Sequence, residues 1–360
     1  MQKINLYLTF DYELPLGGWI VSPENALIEP TNRLLELCEK LRVPVVFFVD
    51  VLSFIRFREQ ENNYFEQLVR KQLRTIVEKG HDIQLHLHPH WFTSSFENGI
   101  YKPSKDFKLS DFNEQEISDM VVQGIDYLNE IAKPIHPDYK CLAFRAGGYN
   151  LKNSALIFKI LEQNSIVIDS SICSGYYFAS DISTIDYRNV PDMPNWFFAN
   201  GNYNEPAASG MYEIPIAGKK KSIVELPTII KSKIYQNRIP ENRGKMIHSG
   251  GKLPFSKRFR MAMSSRMLSF DNYTYSSRFL IKILNYNLQR FNKQEEINLS
   301  IIGHPKIMDS YNFQLMESFI ASVRKLYKNQ VEFKTFQGFL KNGYICFGLI
   351  NYLITLHFAT

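Results

Sequence analysis

Three histidines, His86, His88 and His90, lie within five residues of one another. Histidine is the commonest neutral metal ligand, and the i, i+4 spacing of His86 and His90 can place two imidazoles together on one turn. Pro89 disfavours a regular helix at this point, so a tight turn is the better interpretation. The cluster indicates a metal site, and the alternative is a loop of hydrogen-bonded histidines that binds no metal.

Two carboxylates, Asp11 and Glu13, follow an apolar strand-like run at the start of the chain. A catalytic zinc site needs about three protein ligands and one open position, which two histidines and one carboxylate provide. The other carboxylate can then accept a proton from the attacking water. A turn-capping role is the alternative for Asp11, but an acidic pair at the end of a buried strand is costly unless it is paired or bound to metal. The two motifs together predict a hydrolytic metal site.

These residues need elements that bring them together, and the first half of the chain alternates apolar runs with helical patterns. The runs predict strands at 4–10, 43–51, 81–87, 141–144 and 166–168, with a later one at 297–302. Such alternation indicates an α/β fold of parallel strands and crossover helices, in which active sites form at the carboxyl ends of the strands. The chemically reactive residues that follow these strand ends are Asp11, Glu13, His86, His88, His90, Arg145, Asp169 and His304.

The composition suits one large domain, because the 360 residues are 45% hydrophobic and 22% charged. We expect a single catalytic domain over 1–338, in which 175–268 is a long, basic, loop-rich insertion. The apolar tail over 339–360 is short for a membrane span. It is interpreted as a packed terminal element or as an anchor at a membrane surface.

The cysteines Cys38, Cys141, Cys173 and Cys346 lie far apart, so a cysteine zinc site is not expected. Free thiols fit a reducing compartment, and the first residues lack a signal-peptide pattern. We therefore expect a cytoplasmic protein, with association to the inner face of the membrane as an option.

Positive charge is concentrated in 217–267, where 13 Lys or Arg accompany 2 acids, a balance of +11 against +6 for the whole chain. Apolar residues such as Phe255 and Phe259 are interleaved with these cations. The stretch is a solvated loop, a contact with an anionic membrane surface, or a grip on the phosphate or diphosphate of an activated substrate. No nucleic-acid motif accompanies the charge, so a nucleic-acid partner is not expected.

Five short motifs stand in the order of the polysaccharide deacetylase family, carbohydrate esterase family four, and the chain resembles this family over about residues 4–338. The motifs are TFDYE at 9–13, GHDIQLHLHPH at 80–90, FRAGGY at 144–149, DSS at 169–171 and GHP at 303–305, with EIPI at 213–216 as a further element. The variant looks closest to deacetylases of lipopolysaccharide or capsule biosynthesis.

The resemblance implies a distorted (β/α) barrel of about seven strands with a long insertion, and a divalent metal, usually zinc. In such a site Asp11 is the general base, and the metal ligands are Glu13, His86 and His90. Arg145 orients the base carboxylate and keeps it ionised. Carboxylate and imidazole ligands also accept cobalt, nickel or iron, so the metal is not determined by the ligands.

On the acid side of the site, the resemblance makes His304 the general acid that protonates the leaving amine. Tyr149 stabilises the oxyanion through its backbone N–H, and Asp169 tunes the histidine or supports the floor of the site. The implied activity removes an N-acetyl group from an amino sugar, free or linked to lipid or diphosphate. The alternatives are an O-deacetylase, a cyclic amidase and a non-catalytic glycan-binding relative.

Two departures from the family pattern affect the proton acceptor and the ligands. Many members have two adjacent aspartates where this chain has Asp11 and Glu13, so the base and ligand roles of these two residues could be exchanged. His88 is an additional histidine and an alternative to His90 as a ligand.

A third departure affects the substrate side. A glycine pair, Gly147 and Gly148, moves Tyr149 by one position relative to the usual motif. The two glycines are predicted to line the substrate site, and Trp91 is predicted to stack on a sugar ring.

Overall fold

The computed structural model describes residues 2–15, 22–60, 63–97, 100–180, 183–225, 227, 230, 253–272 and 274–341. The strands in this part of the chain are β1 (Lys3–Tyr12), β2 (Val46–Asp50), β3 (Asp82–Leu87), β4 (Ser95–Glu97), β5 (Ile100–Lys102), β6 (Ala143–Ala146), β7 (Ile168–Asp169), β8 (Tyr177–Ala179), β9 (Thr184–Asp186), β10 (Trp196–Phe198), β11 (Met211–Glu213), β12 (Gly218–Lys220), β13 (Ser265–Met267), β14 (Glu296–Gly303) and β15 (Val331–Phe333). The α-helices are α1 (Glu29–Leu41), α2 (Val51–Arg58), α3 (Tyr64–Glu78), α4 (His90–Thr93), α5 (Glu114–Ala132), α6 (Ala155–Gln163), α7 (Phe255–Met263), α8 (Ser277–Arg290), α9 (Ser310–Tyr327) and α10 (Gln337–Lys341).

The main sheet contains parallel strands in the order β11-β7-β6-β3-β2-β1-β14. β10 pairs antiparallel with β11 at one edge, and β15 pairs parallel with the first residues of β1. Parallel strands covered on both faces are rich in apolar residues. β2 and β3 are accordingly buried along their whole length.

The two ends of the sheet meet just beyond β11. Ile216 forms a parallel bridge to Ser300 of β14. The Ala217 N–H donates to the Ser300 carbonyl at 2.9 Å, and the Ser300 N–H donates to the Pro215 carbonyl at 3.1 Å. The sheet therefore curls round on itself, which confirms the predicted distorted (β/α) barrel.

Side chains alternate between the inside of the barrel and the helix layer, because successive residues of a strand point to opposite faces. Along β1, Leu6, Leu8 and Phe10 join the large core under the helices, whereas Tyr7 joins a separate cluster inside the barrel. The members of that inner cluster are Tyr7, Val46, Phe48, Ala143, Ile168, Ile214, Phe336 and Phe339. Phe336 stacks on Tyr7 with 4.9 Å between ring centroids, so the segment around α10 closes the amino-terminal end of the barrel.

The helices pack on the outside through apolar faces. α5 begins with a capping box in which Asn113 and Glu116 each accept a hydrogen bond from the other's backbone N–H. Gly124 lets α5 lie close to the sheet, because a Cβ at this position would be 2.7 Å from Leu85 Cδ1 and 2.8 Å from Val51 Cγ2.

The range 175–268, predicted to be an insertion, contributes two strands to the barrel sheet. β11 pairs parallel with β7, with Glu213 opposite Asp169, and β10 pairs with β11. The hairpins β8–β9 and β12–β13, together with α7, lie outside this sheet. The description of the whole range as an insertion is therefore corrected for 196–198 and 211–213.

Most of the predicted apolar tail at 339–360, including Cys346, lies outside the described residues. Phe339 of α10 is buried, and its ring lies 6.3 Å from that of Tyr7. No helix in the described ranges has the length and apolar character needed to cross a bilayer.

Candidate active site

The polar residues of the site lie at the carboxyl ends of the barrel strands and follow the strand alternation. Along β1 and beyond it, Thr9, Asp11 and Glu13 share the inward face with Tyr7, and all three are buried. Asp82, Gln84, His86 and His88 alternate in the same way with apolar residues along and just beyond β3. Because both strands run parallel, these side chains converge at one end of the barrel.

A metal-ligand cluster lies between β1 and β3. One ligand atom each from Glu13, His86 and His88 lies within 4.8 Å of the other two, and the three residues are buried. His86 Nε2 is 3.5 Å from Glu13 Oε2, and His88 Nε2 contacts the same oxygen. None of these three atoms has a hydrogen-bonding partner of good geometry. Buried polar atoms are rarely left in this state, so their convergence fits a bound cation.

The tautomer of His86 also fits a metal ligand. His86 Nδ1 lies 2.8 Å from the backbone carbonyl of Arg145. A carbonyl can only accept a hydrogen bond, so Nδ1 carries the proton and neutral His86 has its lone pair on Nε2, facing Glu13. The orientation of the ring is thus set by β6, the neighbouring strand.

His88 is held by contacts on two sides. Its backbone N–H donates to Asp50 Oδ1 at 3.1 Å, where Asp50 ends β2. Burial raises the pKa of Asp50, against the opposing effect of the nearby histidines. On the other side, a Cβ on Gly147 would be 2.8 Å from His88 Nδ1 and 2.5 Å from the carbonyl oxygen of Leu87. Only glycine permits this approach.

His90 and Trp91 lie apart from the ligand cluster. His90 begins α4 and is buried. It belongs to neither group of potential metal ligands found among the described residues, which are Glu13, His86 and His88, and Asp11, Glu13 and His304. Burial, together with the charge of His88, lowers the pKa of His90 to about 3. Trp91 is 1% exposed and stacks on Tyr101 at 4.2 Å between ring centroids. The predicted stacking of Trp91 on a sugar ring is therefore corrected, because the ring belongs to the core.

Asp11 forms a buried ion pair with Arg145. Arg145 Nη1 donates to Asp11 Oδ1 at 2.6 Å, and the guanidinium is completely buried. Its other donors reach the Ser170 carbonyl at 2.8 Å, Thr9 Oγ1 at 2.9 Å and Ser300 Oγ at 3.1 Å. The guanidinium also lies over the ring of Phe48, 4.1 Å from its centroid. Arg145 is therefore held by residues of β1, β2 and β14 and by the residue that follows β7.

The charge environment keeps both carboxylates ionised. Burial alone would raise the pKa of Asp11, but Arg145 and His86 hold it well below its usual range. Burial acts in the same direction on Glu13, and Lys306 and His88 lower its pKa. Lys306 Nζ is buried and donates to Glu13 Oε1 at 3.0 Å and to the carbonyl of Leu14 at 3.1 Å. Glu13 therefore has one oxygen held by a lysine and the other directed at the histidines.

On the opposite side, His304 is oriented by Asp271. His304 Nδ1 contacts Asp271 Oδ2, while His304 Nε2 lies 3.1 Å from the Tyr149 hydroxyl and 3.4 Å from Asp11 Oδ2. Burial would lower the pKa of His304, but Asp271 and Asp11 raise it to about 10. The imidazole is consequently protonated at neutral pH.

Tyr149 brings its hydroxyl into the site. The hydroxyl donates to Asp11 Oδ2 at 3.1 Å. Tyr149 has a φ of 57°, and so does the preceding Gly148. A left-handed conformation is uncommon for a large residue and marks a strained turn of the kind found at functional sites.

Asp169 is buried deeper in the barrel than Tyr149. Its carboxylate accepts from the Ser171 N–H at 3.0 Å and from Ser171 Oγ at 2.8 Å. Ser170, next to it, accepts from Arg145. Of its two predicted roles, the position of Asp169 fits support of the floor, and Asp271 takes the place beside His304.

Asp50, Asp271 and Lys306 were not predicted as site residues. Asp50 could have been found, because it ends an apolar strand as Asp11 does. Lys306 follows His304 by two residues, but its inward direction depends on the turn at Pro305–Ile307. Asp271 comes from a segment without a strand pattern, which lies beside β14 through the bridge from Ser269 to Ile302.

No protein-family model and no curated protein sequence matches the chain. Similar solved structures include PuuE allantoinase, at 12% identity and TM-score 0.50, with 95% of this chain and 90% of that chain covered. A structure from Mycobacterium smegmatis named as a polysaccharide deacetylase has 14% identity and TM-score 0.49, with the same coverage. A peptidoglycan N-acetylglucosamine deacetylase has 11% identity and TM-score 0.41, with 94% of this chain and 92% of that chain covered. The chain thus has the distorted (β/α) barrel fold that its motifs predicted, and it shares this fold with the allantoinase structure.

Proposed function

We propose that the chain is a metal-dependent hydrolase that removes an N-acetyl group from an amino sugar. The observation that carries this proposal is the convergence of three buried ligand atoms, on Glu13, His86 and His88, none of which makes a hydrogen bond of good geometry. They lie between an ionised carboxylate, Asp11, and a protonated histidine, His304. Those three residues would hold the divalent ion, with His90 as the less favoured alternative. When bound, such an ion supplies Lewis-acid activation of water and of the amide carbonyl. Two imidazoles and one carboxylate suit zinc, and cobalt, nickel or iron can also bind them.

Asp11 is the proposed general base. Its Oδ1 accepts from Arg145 and its Oδ2 accepts from the Tyr149 hydroxyl. The remaining lone pair of Oδ2 is the proposed acceptor of a proton from the attacking water. The ion pair keeps this carboxylate unprotonated at neutral pH. Glu13 is held by Lys306 and faces the histidines, so its position favours the ligand role over the base role.

His304 is the proposed general acid. It is protonated at neutral pH, and its Nε2 faces the same space as Asp11 Oδ2. Asp271 accepts from Nδ1–H and holds that proton in place, so Nε2–H is the proton of the imidazolium that can pass to the leaving amine. Tyr149, Gly147 and Gly148 would line the acyl side, with the Tyr149 backbone N–H as the proposed oxyanion donor.

The substrate class follows from the resemblance and from the charge of the chain. Acetylated amino sugars of lipopolysaccharide or another surface polysaccharide are the proposed substrates, linked to lipid or diphosphate. The basic stretch at 217–267 would suit such an anionic carrier. A cytoplasmic location is part of the same proposal.

The first experiment measures metal content and acetate release together, on wild-type protein and on Asp11→Asn. The substrates are N-acetylated amino sugars, free and diphosphate-linked. We expect about one metal ion per chain in both proteins, with acetate release only in the wild type, because the variant keeps the ligands and loses the base. His136→Gln is the matched control, since His136 is exposed and lies on a connecting segment.

Other outcomes separate the alternatives. Metal without acetate release from the N-acetylated sugars, but with hydrolysis of O-acetyl sugars or cyclic amides, would assign another hydrolase. The likeness to an allantoinase makes the cyclic amides worth including. Neither metal nor hydrolysis would leave a glycan-binding protein as the better description.

The ligand assignment has its own test. His88→Gln should lower metal affinity at least as strongly as His86→Gln, whereas His90→Gln should leave it within a few fold. Isothermal titration with Zn²⁺ measures all three, and a large loss only in the His90 variant would reverse the assignment.

A further inference from the structure

Helix α7 is exposed on nearly all of its surface. None of its nine residues is buried. Three apolar side chains project from it, with exposed fractions of 80% for Phe255, 56% for Phe259 and 45% for Met263. The rings of Phe255 and Phe259 stack on each other with 6.4 Å between centroids. Exposed aromatic residues in a continuous patch mark an interaction site.

The cations of α7 border this apolar face. At about 100° per residue, Phe255, Phe259, Ala262 and Met263 fall within an arc of roughly 100°. Arg258 lies on one side of the arc and Arg260 on the other. Lys257 lies on the opposite face and is half-buried. An apolar face bordered by arginines matches the layout of helices that lie in a membrane interface, where guanidinium groups reach the headgroups.

The charges on α7 are available to an external partner. Within the described ranges, no ion pair involves Lys257, Arg258 or Arg260. Asp186, whose pKa Arg260 helps to lower, is already paired with Arg188 at 2.6 Å. Lys221, in contrast, holds the helix in place, because its Nζ donates to the Met261 carbonyl at 2.5 Å.

α7 lies on the same side of the barrel as the site. It packs against β8, which follows the carboxyl end of β7. Immediately after α7, the Ser265 N–H donates to the Gly175 carbonyl at 2.8 Å, in the same post-β7 segment. The chain then continues to Asp271, which contacts His304. α7 is therefore close in sequence and in space to the carboxyl-terminal end of the barrel, where the site lies.

We propose that α7 docks the protein on a lipid bilayer with anionic headgroups, with Phe255, Phe259 and Met263 inserted at the interface. An anionic bilayer is favoured over a protein partner because the stretch 217–267 carries a balance of +11, against −5 for the rest of the chain. Each basic residue near the surface of an anionic bilayer raises the partition coefficient of a protein by about a factor of five. The docking does not depend on deacetylation, so vesicle binding and acetate release are separate readouts.

The test is flotation of the full chain with vesicles of phosphatidylglycerol and phosphatidylcholine, and with phosphatidylcholine alone. We expect binding to the anionic vesicles that weakens as salt rises. Phe255→Ser/Phe259→Ser should lower the partition coefficient at least tenfold, and Arg258→Gln/Arg260→Gln should lower it about 25-fold. All four side chains are exposed, so these variants should fold.

Leu326→Ser is the matched control, because Leu326 is an apolar residue of α9 that is 55% exposed. It should bind as the wild type does. No flotation at low salt would overturn the proposal, and so would wild-type binding by the phenylalanine variant. Binding lost only in the arginine variant would instead identify an electrostatic site for a polyanion, which also overturns interfacial docking.

Discussion

The pair formed by His304 and Asp271 sets the protonation state on which the proposed acid step depends. The carboxylate of Asp271 opposes the effect of burial and raises the pKa of His304 to about 10. A group with a raised pKa stays protonated until the pH passes that value. The acid form is therefore present throughout the neutral range.

We predict that His304→Ala retains the metal and loses turnover by about a hundredfold or more, as expected when a general acid is removed. Asp271→Asn should instead shift the alkaline limb of the kcat/KM profile to lower pH, because the pKa of His304 falls when its anionic partner is lost. The pH profile of both variants against the wild type measures this. An unchanged alkaline limb in Asp271→Asn would contradict the role of the pair.

Lys306 is a second buried charged residue, and the effect of replacing it on the free energy of unfolding can be measured independently of turnover. It contacts Glu13 at 3.0 Å, and both side chains are about 5% exposed. Removing one partner of a buried pair leaves the other uncompensated, which costs about 3–5 kcal/mol.

We predict that Lys306→Met lowers the free energy of unfolding of the metal-free protein by about 3 kcal/mol. The loss should be smaller in the double variant Lys306→Met/Glu13→Gln, because no uncompensated carboxylate remains. Urea denaturation with a chelator present measures both. Equal losses in the single and double variants would show that the pair is not coupled.

The choice between His88 and His90 shows how far the role of a single residue could be predicted from the sequence. The spacing of His86 and His90 drew attention to a turn, but the structure continues the alternation of β3 for one more residue and directs His88 inward. Trp91 could not be assigned to the core from its neighbours, because its burial depends on Tyr101 in a separate hairpin.

At the scale of elements, β3 contributes one face to the core of the fold and the other face to the candidate site. Its residues alternate between Asp82, Gln84 and His86 on the inside and Ile83, Leu85 and Leu87 under the helices. The sequence predicted a strand at 81–87, and the expectation of parallel strands then placed the histidines at a carboxyl end.

β11 was not predicted, because three residues between turns give no measurable periodicity. Its place in the sheet is set by long-range partners: Glu213 lies opposite Asp169, and the segment beyond it bridges to Ser300. Such pairings depend on the whole barrel and leave no local signal.

Asp82, the inward-facing first residue of β3, makes the stability of the protein depend on pH. Asp82 is buried and accepts from the Gln84 side chain at 2.9 Å and from the Phe336 N–H at 3.0 Å, so it ties β3 to the segment before α10. Burial raises its pKa from 3.8 to about 6 despite these donors. A carboxyl group with a raised folded pKa contributes stability below its unfolded pKa, and this contribution is lost as the pH rises from about 4 to about 6.

We predict that the free energy of unfolding of the wild type, relative to Asp82→Asn, falls by about 2 kcal/mol between pH 4 and pH 7, since most of the pKa rise of Asp82 takes effect in this window. Urea denaturation at each pH measures the difference. Glu162→Gln is a control, because Glu162 of α6 is a carboxyl group that is exposed to solvent. A constant difference between wild type and Asp82→Asn would show that Asp82 does not titrate in this window.

At the scale of the whole molecule, the proposed ligands come from two strands that are not neighbours. Glu13 follows β1 and the histidines lie on or just after β3, with β2 and Asp50 between them. The unfolded chain does not hold these groups together, because more than seventy residues separate Glu13 from His86. A cation that binds them binds the folded state alone.

Metal binding should therefore stabilise the entire barrel. A ligand that binds only the folded state adds about 2.7 kcal/mol to the free energy of unfolding at a hundred times its Kd. For a chain of this size we predict that Zn²⁺ raises the Tm by roughly 4 °C and that a chelator reverses the rise. Glu13→Gln should show no rise, because a ligand is lost, whereas Asp11→Asn should keep it, because its carboxylate is the proposed base. Differential scanning calorimetry of the three proteins measures this, and an equal rise in Glu13→Gln would place the ion elsewhere. A rise that is lost in both variants would mean that the two carboxylates share the ion, and the separation of base from ligand would then have to be given up.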